Sequence, residues 1–97
     1  MSTRIDIDSV RNAAIAALAD AEGLPIGDVE GAVTAIGDAA FELDSKKAEV
    51  MIAAMEEAFA CTLPGPADLR RDQFATFGAL VELVTNALNR EPAWAHS

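Results

Sequence analysis

Three stretches of helical periodicity, and no stretch that alternates convincingly with period two, predict an all-α fold: a small four-helix bundle. The expected order is a first main helix, a long first loop, a second main helix, one short helix and a third main helix. At 97 residues the chain forms a single domain with one modest core, too small for a deep cleft closed by a lid.

In the first segment Val10, Ala13, Ala14, Ala17, Leu18 and Ala21 recur at three-and-four spacing. Asp6, Asp8 or Ser9 can cap its start, and Gly23-Leu24-Pro25 ends it. Residues 24–44 then form a connection that is long for a small helical domain and lacks a strong period. Such connections are usually functional or packed by their own side chains. Val29, Val33, Ile36, Phe41 and Leu43 could pin it to the bundle. A weak helix over 29–36 is also open, although Gly31 and Gly37 argue against a long one.

The second main helix is expected over 45–60, with Ala48, Met51, Ile52, Met55 and Phe59 on its core face. Leu63-Pro64-Gly65-Pro66 breaks the chain, and Pro66 suits the first position of a short helix over 67–71. The third main helix runs over 76–89, with Phe77, Leu80, Val81, Val84 and Leu88 inward and Thr76 as its cap. Residues 1–90 form the domain and 91–97 a flexible tail.

The formal charge is −9. Between Arg11 and Lys46 there is no Lys or Arg, only Asp20, Glu22, Asp28, Glu30, Asp38, Glu42 and Asp44. Nucleic acid and anionic membrane surfaces are poor partners for such a chain, whereas a basic protein surface is steered towards it. No apolar run approaches the roughly 18–20 residues of a membrane span, and the N-terminal residues lack the pattern of a secretory leader. The single cysteine, Cys61, rules out an internal disulfide or a cysteine zinc cage, and a cytoplasmic setting is expected.

The stretch Phe41-Glu42-Leu43-Asp44-Ser45-Lys46-Lys47 carries the chemistry of interest. A serine or aspartate before a periodic helix is ordinarily a cap, worth about 1 kcal/mol. The glutamate that would complete a capping box is missing; Ala48 stands there. The other reading is that Ser45 carries a phosphodiester. A helix start favours an anion through its dipole and free N–H groups. Lys46 and Lys47 would compensate the charge, whereas without an anion they oppose the dipole. Taking about 100° per residue, the solvent face of this helix displays Lys46, Val50, Ala53 and Glu57, with Glu49 and Glu56 at one margin. A small apolar centre with a charged rim suits docking; taken alone it is also an ordinary solvated surface.

With Phe41-Glu42-Leu43-Asp44-Ser45, then Met55-Glu56-Glu57-Ala58-Phe59, then Leu63-Pro64, then Phe74-Ala75-Thr76-Phe77, the chain resembles the acyl/peptidyl carrier protein family in order and spacing from Ser9 to Leu88. The resemblance implies the acyl-carrier type of four-helix bundle, with its long first loop. It implies that Ser45 is the serine to which a phosphopantetheinyl transferase attaches 4′-phosphopantetheine from coenzyme A, with Asp44 as the acidic residue before it. The arm's thiol would hold acyl or aminoacyl groups as thioesters for a loading enzyme and downstream biosynthetic enzymes. The carrier is a monomer that catalyses nothing and raises the effective concentration of its cargo. The second main helix would be the partner-recognition surface, with Lys46, Lys47, Glu49, Val50, Ala53, Glu56 and Glu57 as its contacts. Two residues depart from the family pattern. Lys46 replaces Leu or Met, and Glu42 replaces Gly, so its backbone must avoid positive φ or bear strain. These departures point to a specialised, free-standing carrier with dedicated partners, as in secondary metabolism. The other reading is an unmodified helical adaptor that acts only by docking.

Other residues carry less. His96, the lone histidine, has no companion nucleophile or ligand and reads as solvated; Trp94 in the same tail reads as part of a disordered end, the other reading being an exposed indole that anchors a partner. Cys61 reads as an inert, half-buried thiol, and Arg70-Arg71 as a solvated pair, the other reading being a partner for the arm's phosphate or for an acidic protein. Asp28, Glu30 and Asp38 lack calcium-loop spacing, and Glu56 and Glu57 diverge by about 100° on a helix, so neither set forms a metal or acid/base pair. An enzyme is therefore not expected.

Overall fold

The structure, a computed structural model, describes residues 6–60, 62–63 and 69–89. It is all-helical: α1 (Ile7–Glu22), α2 (Ile26–Ile36), α3 (Ser45–Phe59) and α4 (Phe77–Asn89), with a 3-10 turn at Arg71–Gln73 before α4. The three main helices stand where the periodicity places them. Residues 24–44 are not one long loop: the helix that the sequence leaves open over 29–36 forms, ends at Ile36, and starts three residues earlier, as an eleven-residue α-helix. Of the short helix expected over 67–71, residues 67 and 68 lie outside the described residues, and the regular structure that is described there is the 3-10 turn. Cys61, Pro64, Gly65, Pro66 and the tail with Trp94 and His96 also lie outside them.

α1 is the shared core helix, on which α2, α3 and α4 each pack. A helix with three neighbours must bury more than one stripe. Ile15 and Ala19 are therefore buried together with the expected Val10, Ala14, Ala17 and Leu18, while Ala21 emerges at the C-terminal end. Its alanines let the neighbouring backbones approach, and Ile15 and Leu18 contribute about 1.5–3 kcal/mol each by burial. α3 adds Ala48, Met51, Ile52 and Met55, and α4 adds Phe77, Leu80, Val81 and Val84. Among the described residues no polar or charged side chain is buried.

The helix ends explain the chain reversals. α1 closes in a Schellman motif: Leu24 N–H donates to the Ala19 carbonyl (3.0 Å) and Gly23 N–H to that of Asp20 (3.3 Å). Gly23 takes φ +69°, which its missing Cβ permits. The Pro25 that helps end α1 also opens α2, where its fixed φ suits the cap and its carbonyl accepts from Asp28 and Val29. α2 buries Val29 and Val33 alone; Ile26 and Ile36 are each more than half exposed.

Residues 37–44 run as a strap across the start of α4. Gly78 N–H donates to the Asp38 carbonyl (2.8 Å), Phe77 N–H to that of Phe41 (2.8 Å), and Leu43 N–H to that of Ala75 (2.7 Å). The strap thereby supplies acceptors to N–H groups that a helix start leaves without partners. Thr76 is the expected cap: its Oγ1 accepts from Ala79 N–H at 3.2 Å. Arg11 of α1 grips the strap from the other side, donating to both Asp38 carboxylate oxygens (2.9 and 3.2 Å) with its guanidinium carbon 5.9 Å from the Phe77 ring centre. The strap arrives at α3 with Leu43 buried and Asp44 in extended conformation.

Candidate functional site

Ser45 is the first residue of α3, and it is exposed. The capping role belongs to its neighbour. Asp44 is the N-cap, and its Oδ1 accepts from Lys47 N–H at 2.7 Å. The Ser45 hydroxyl makes no hydrogen bond among the described residues, and neither do the backbone N–H groups of Ser45 and Lys46. Capping therefore accounts for the aspartate and leaves the serine without an intramolecular role. Glu42 beside it keeps negative φ; among the described non-glycine residues only Ala60 is left-handed.

The two lysines have different surroundings. Lys46 is exposed and has no ion pair among the described residues. Lys47 turns back to α1, its Nζ 2.7 Å from Glu22 Oε1. That hydrogen bond, with the fields of Glu22 and Asp44, holds the Lys47 ammonium above its ordinary range. The paired charge compensation expected of Lys46 and Lys47 is thus reduced to Lys46, because Lys47 already has a counter-ion. No sequence signal marks Glu22 as that counter-ion, since the pairing depends on how α1 and α3 meet.

The remaining docking residues divide in the same way. Glu49, Ala53 and Glu57 are exposed, and Val50 is 41 % exposed, so these four share the solvent face of α3. Glu56 does not join them. It is half-buried, and its Oε2 accepts from Leu63 N–H at 2.7 Å, tying down the chain beyond α3. A glutamate one turn before a helix end reads as surface charge until the following segment is seen to fold back on it. Between the start of α3 and the end of α1 lies a shallow groove of about 290 Å³, lined by Ala21, Glu22, Asp44, Lys46, Lys47 and Val50.

Chemically this is a modifiable hydroxyl in the open, with two N–H donors at a helix start and one exposed cation, Lys46, none of them paired among the described residues. No group of His, Cys, Asp or Glu residues that could hold a metal ion occurs among the described residues. No described helix is long and apolar enough to cross a membrane. Compared with protein-family models, curated proteins and solved structures, the chain finds no match.

Proposed function

We propose that the chain is a carrier protein, modified at Ser45 with phosphopantetheine and delivering thioester-bound acyl or aminoacyl groups to partner enzymes. The observation that carries this reading is the division of labour at the start of α3. Asp44 caps the helix, and the exposed Ser45 hydroxyl is left with no partner among the described residues. Its neighbouring N–H groups and the positive end of the helix dipole suit a phosphodiester. In the modification the Ser45 Oγ attacks the β-phosphorus of coenzyme A. A P–O bond to serine forms, the pyrophosphate P–O bond breaks, adenosine bisphosphate leaves, and the hydroxyl proton passes to a base of the transferase. Lys46 then faces the new anion. Glu49, Val50, Ala53 and Glu57 supply a docking strip one to three turns along the same helix.

The test is an intact mass after incubation with coenzyme A and a promiscuous phosphopantetheinyl transferase. The expected result is a gain of one phosphopantetheine that is lost in Ser45→Ala. No gain with several transferases overturns the reading and leaves a docking adaptor, whose partner binding would survive Ser45→Ala and fail in Val50→Asp. Lys46→Ala should lower the melting temperature of the modified form more than that of the unmodified form. Lys47→Ala should lower both, because its Glu22 pair is present before modification.

A further inference from the structure

Behind the Glu22–Lys47 ion pair lies a second depression, a crevice of about 140 Å³ between α1, α2 and the strap. Its floor is apolar: Leu18 and Val29 are buried and Phe41 half-buried, while Leu24 and Ala32 form an exposed lip. Three charged residues also line it, Glu22, Asp28 and Lys47. Glu22 and Lys47 neutralise each other across 2.7 Å. Asp28 has no ion pair among the described residues, and no Lys or Arg occurs in the chain between Arg11 and Lys46 to provide one. The crevice therefore sets an apolar floor beside one exposed carboxylate, Asp28, that has no ion pair among the described residues.

The complementary ligand has a cation one or two bonds from a compact aliphatic group. An aminoacyl group has that arrangement, and a simple acyl group does not. The crevice is half open to solvent, so its volume of about 140 Å³ limits only what the apolar floor can cover, a group near the bulk of a valine or leucine side chain. We propose that this crevice receives an aminoacyl group with an aliphatic side chain of valine to leucine size, its α-ammonium on Asp28 and its side chain against Leu18, Val29 and Phe41. The proposal rests on the carrier reading for delivery. Glu22 and Lys47 wall both this crevice and the groove at the start of α3, so the arm on Ser45 has a short path to it. A des-amino acyl group would fill the apolar floor and leave the carboxylate unanswered, which sets the preference.

The experiment titrates the unmodified full chain with leucinamide and with isocaproamide, the same skeleton without the ammonium, following backbone amide shifts by NMR. Saturable shifts at Leu24, Val29, Ala32 and Phe41 are expected for leucinamide, with isocaproamide about threefold weaker, the worth of one ion pair at an exposed carboxylate. Asp28→Asn should bring leucinamide down to the isocaproamide level, and Asp20→Asn, an exposed acid outside the crevice, should leave it unchanged. Absence of shifts at these residues, equal binding of the two amides, or indifference to Asp28→Asn overturns the proposal. A second arm uses the transferase and an amide-linked leucyl analogue of coenzyme A to place leucyl-phosphopantetheine on Ser45, with release of adenosine bisphosphate, and looks for the same shifts. If no transfer occurs, the carrier reading fails while the free-amide titration still decides the crevice. If transfer is complete and neither arm moves these residues, the crevice proposal fails and the carrier reading stands.

Discussion

Ala60 ends α3 in the left-handed region at φ +51°, where a Cβ crowds the following carbonyl at a cost of about 1–2 kcal/mol. Ala60→Gly removes that strain and adds unfolded-state freedom worth roughly 0.4–1 kcal/mol. A net gain of about 0.5–1 kcal/mol should appear as a melting temperature several degrees higher; a lower one would show that the left-handed turn is not strained. Gly78 presents the opposite case. A Cβ there would lie 3.1 Å from the Asp38 carbonyl oxygen and 3.2 Å from its carbon, both backbone atoms of a strap held by several hydrogen bonds. Gly78→Ala should cost about 1–3 kcal/mol by overpacking, measured by urea denaturation. Lys47 carries a pH dependence. Its folded-state ammonium titrates above the ordinary 10.5 because Glu22 holds it, so its contribution is complete below that pH and is lost as pH rises through the raised value. With side-chain exposures of 43 % and 31 %, the pair is screened and worth less than about 1 kcal/mol. Lys47→Met should therefore melt slightly lower than the parent at neutral pH and converge with it in strong alkali.

Among the helices, α2 has the smallest hold on the core. Its interior anchors are Val29 and Val33, and it packs chiefly on α1. Val33→Ala removes two methyl groups from a fully buried site, worth about 2 kcal/mol with the cavity term. Amide exchange should speed up across α2 more than across α3 or α4; uniform loss of protection would show that α2 unfolds only with the whole domain. The same thinness explains why α2 was hard to read. Ile26, Val29, Val33 and Ile36 do stand at three-and-four spacing, and Pro25 can open a helix as well as close one. Gly27 and Gly31 within it obscured the signal, since each costs about 1 kcal/mol against alanine in a helix. α3 and α4 were legible because each carries four or five large apolar residues in one sector and a side-chain cap at its start.

Taken as one charged body, the domain repels itself. With a net charge of −9 and three ion pairs among the described residues, long-range repulsion outweighs local attraction. Raising salt from about 0.01 to about 1 M shrinks the Debye length from roughly 30 to roughly 3 Å and should raise the melting temperature. A fall would mean that the ion pairs of Lys47 and Arg11 matter more than the overall field. Periodicity and punctuation in the chain settled the all-α architecture, the main helices, Thr76 as a cap and the solvent face that carries Val50. These follow from spacing along one helix, which local geometry fixes before any helix meets another. Asp44 caps α3 through a local bond to Lys47 three residues on. Packing alone decided that Glu22 takes Lys47, that Glu56 turns to Leu63, and that Arg11 and Gly78 clasp the strap. Each of these depends on where separate segments come to rest in space, and side-chain partners chosen across that distance leave no periodic trace in the chain.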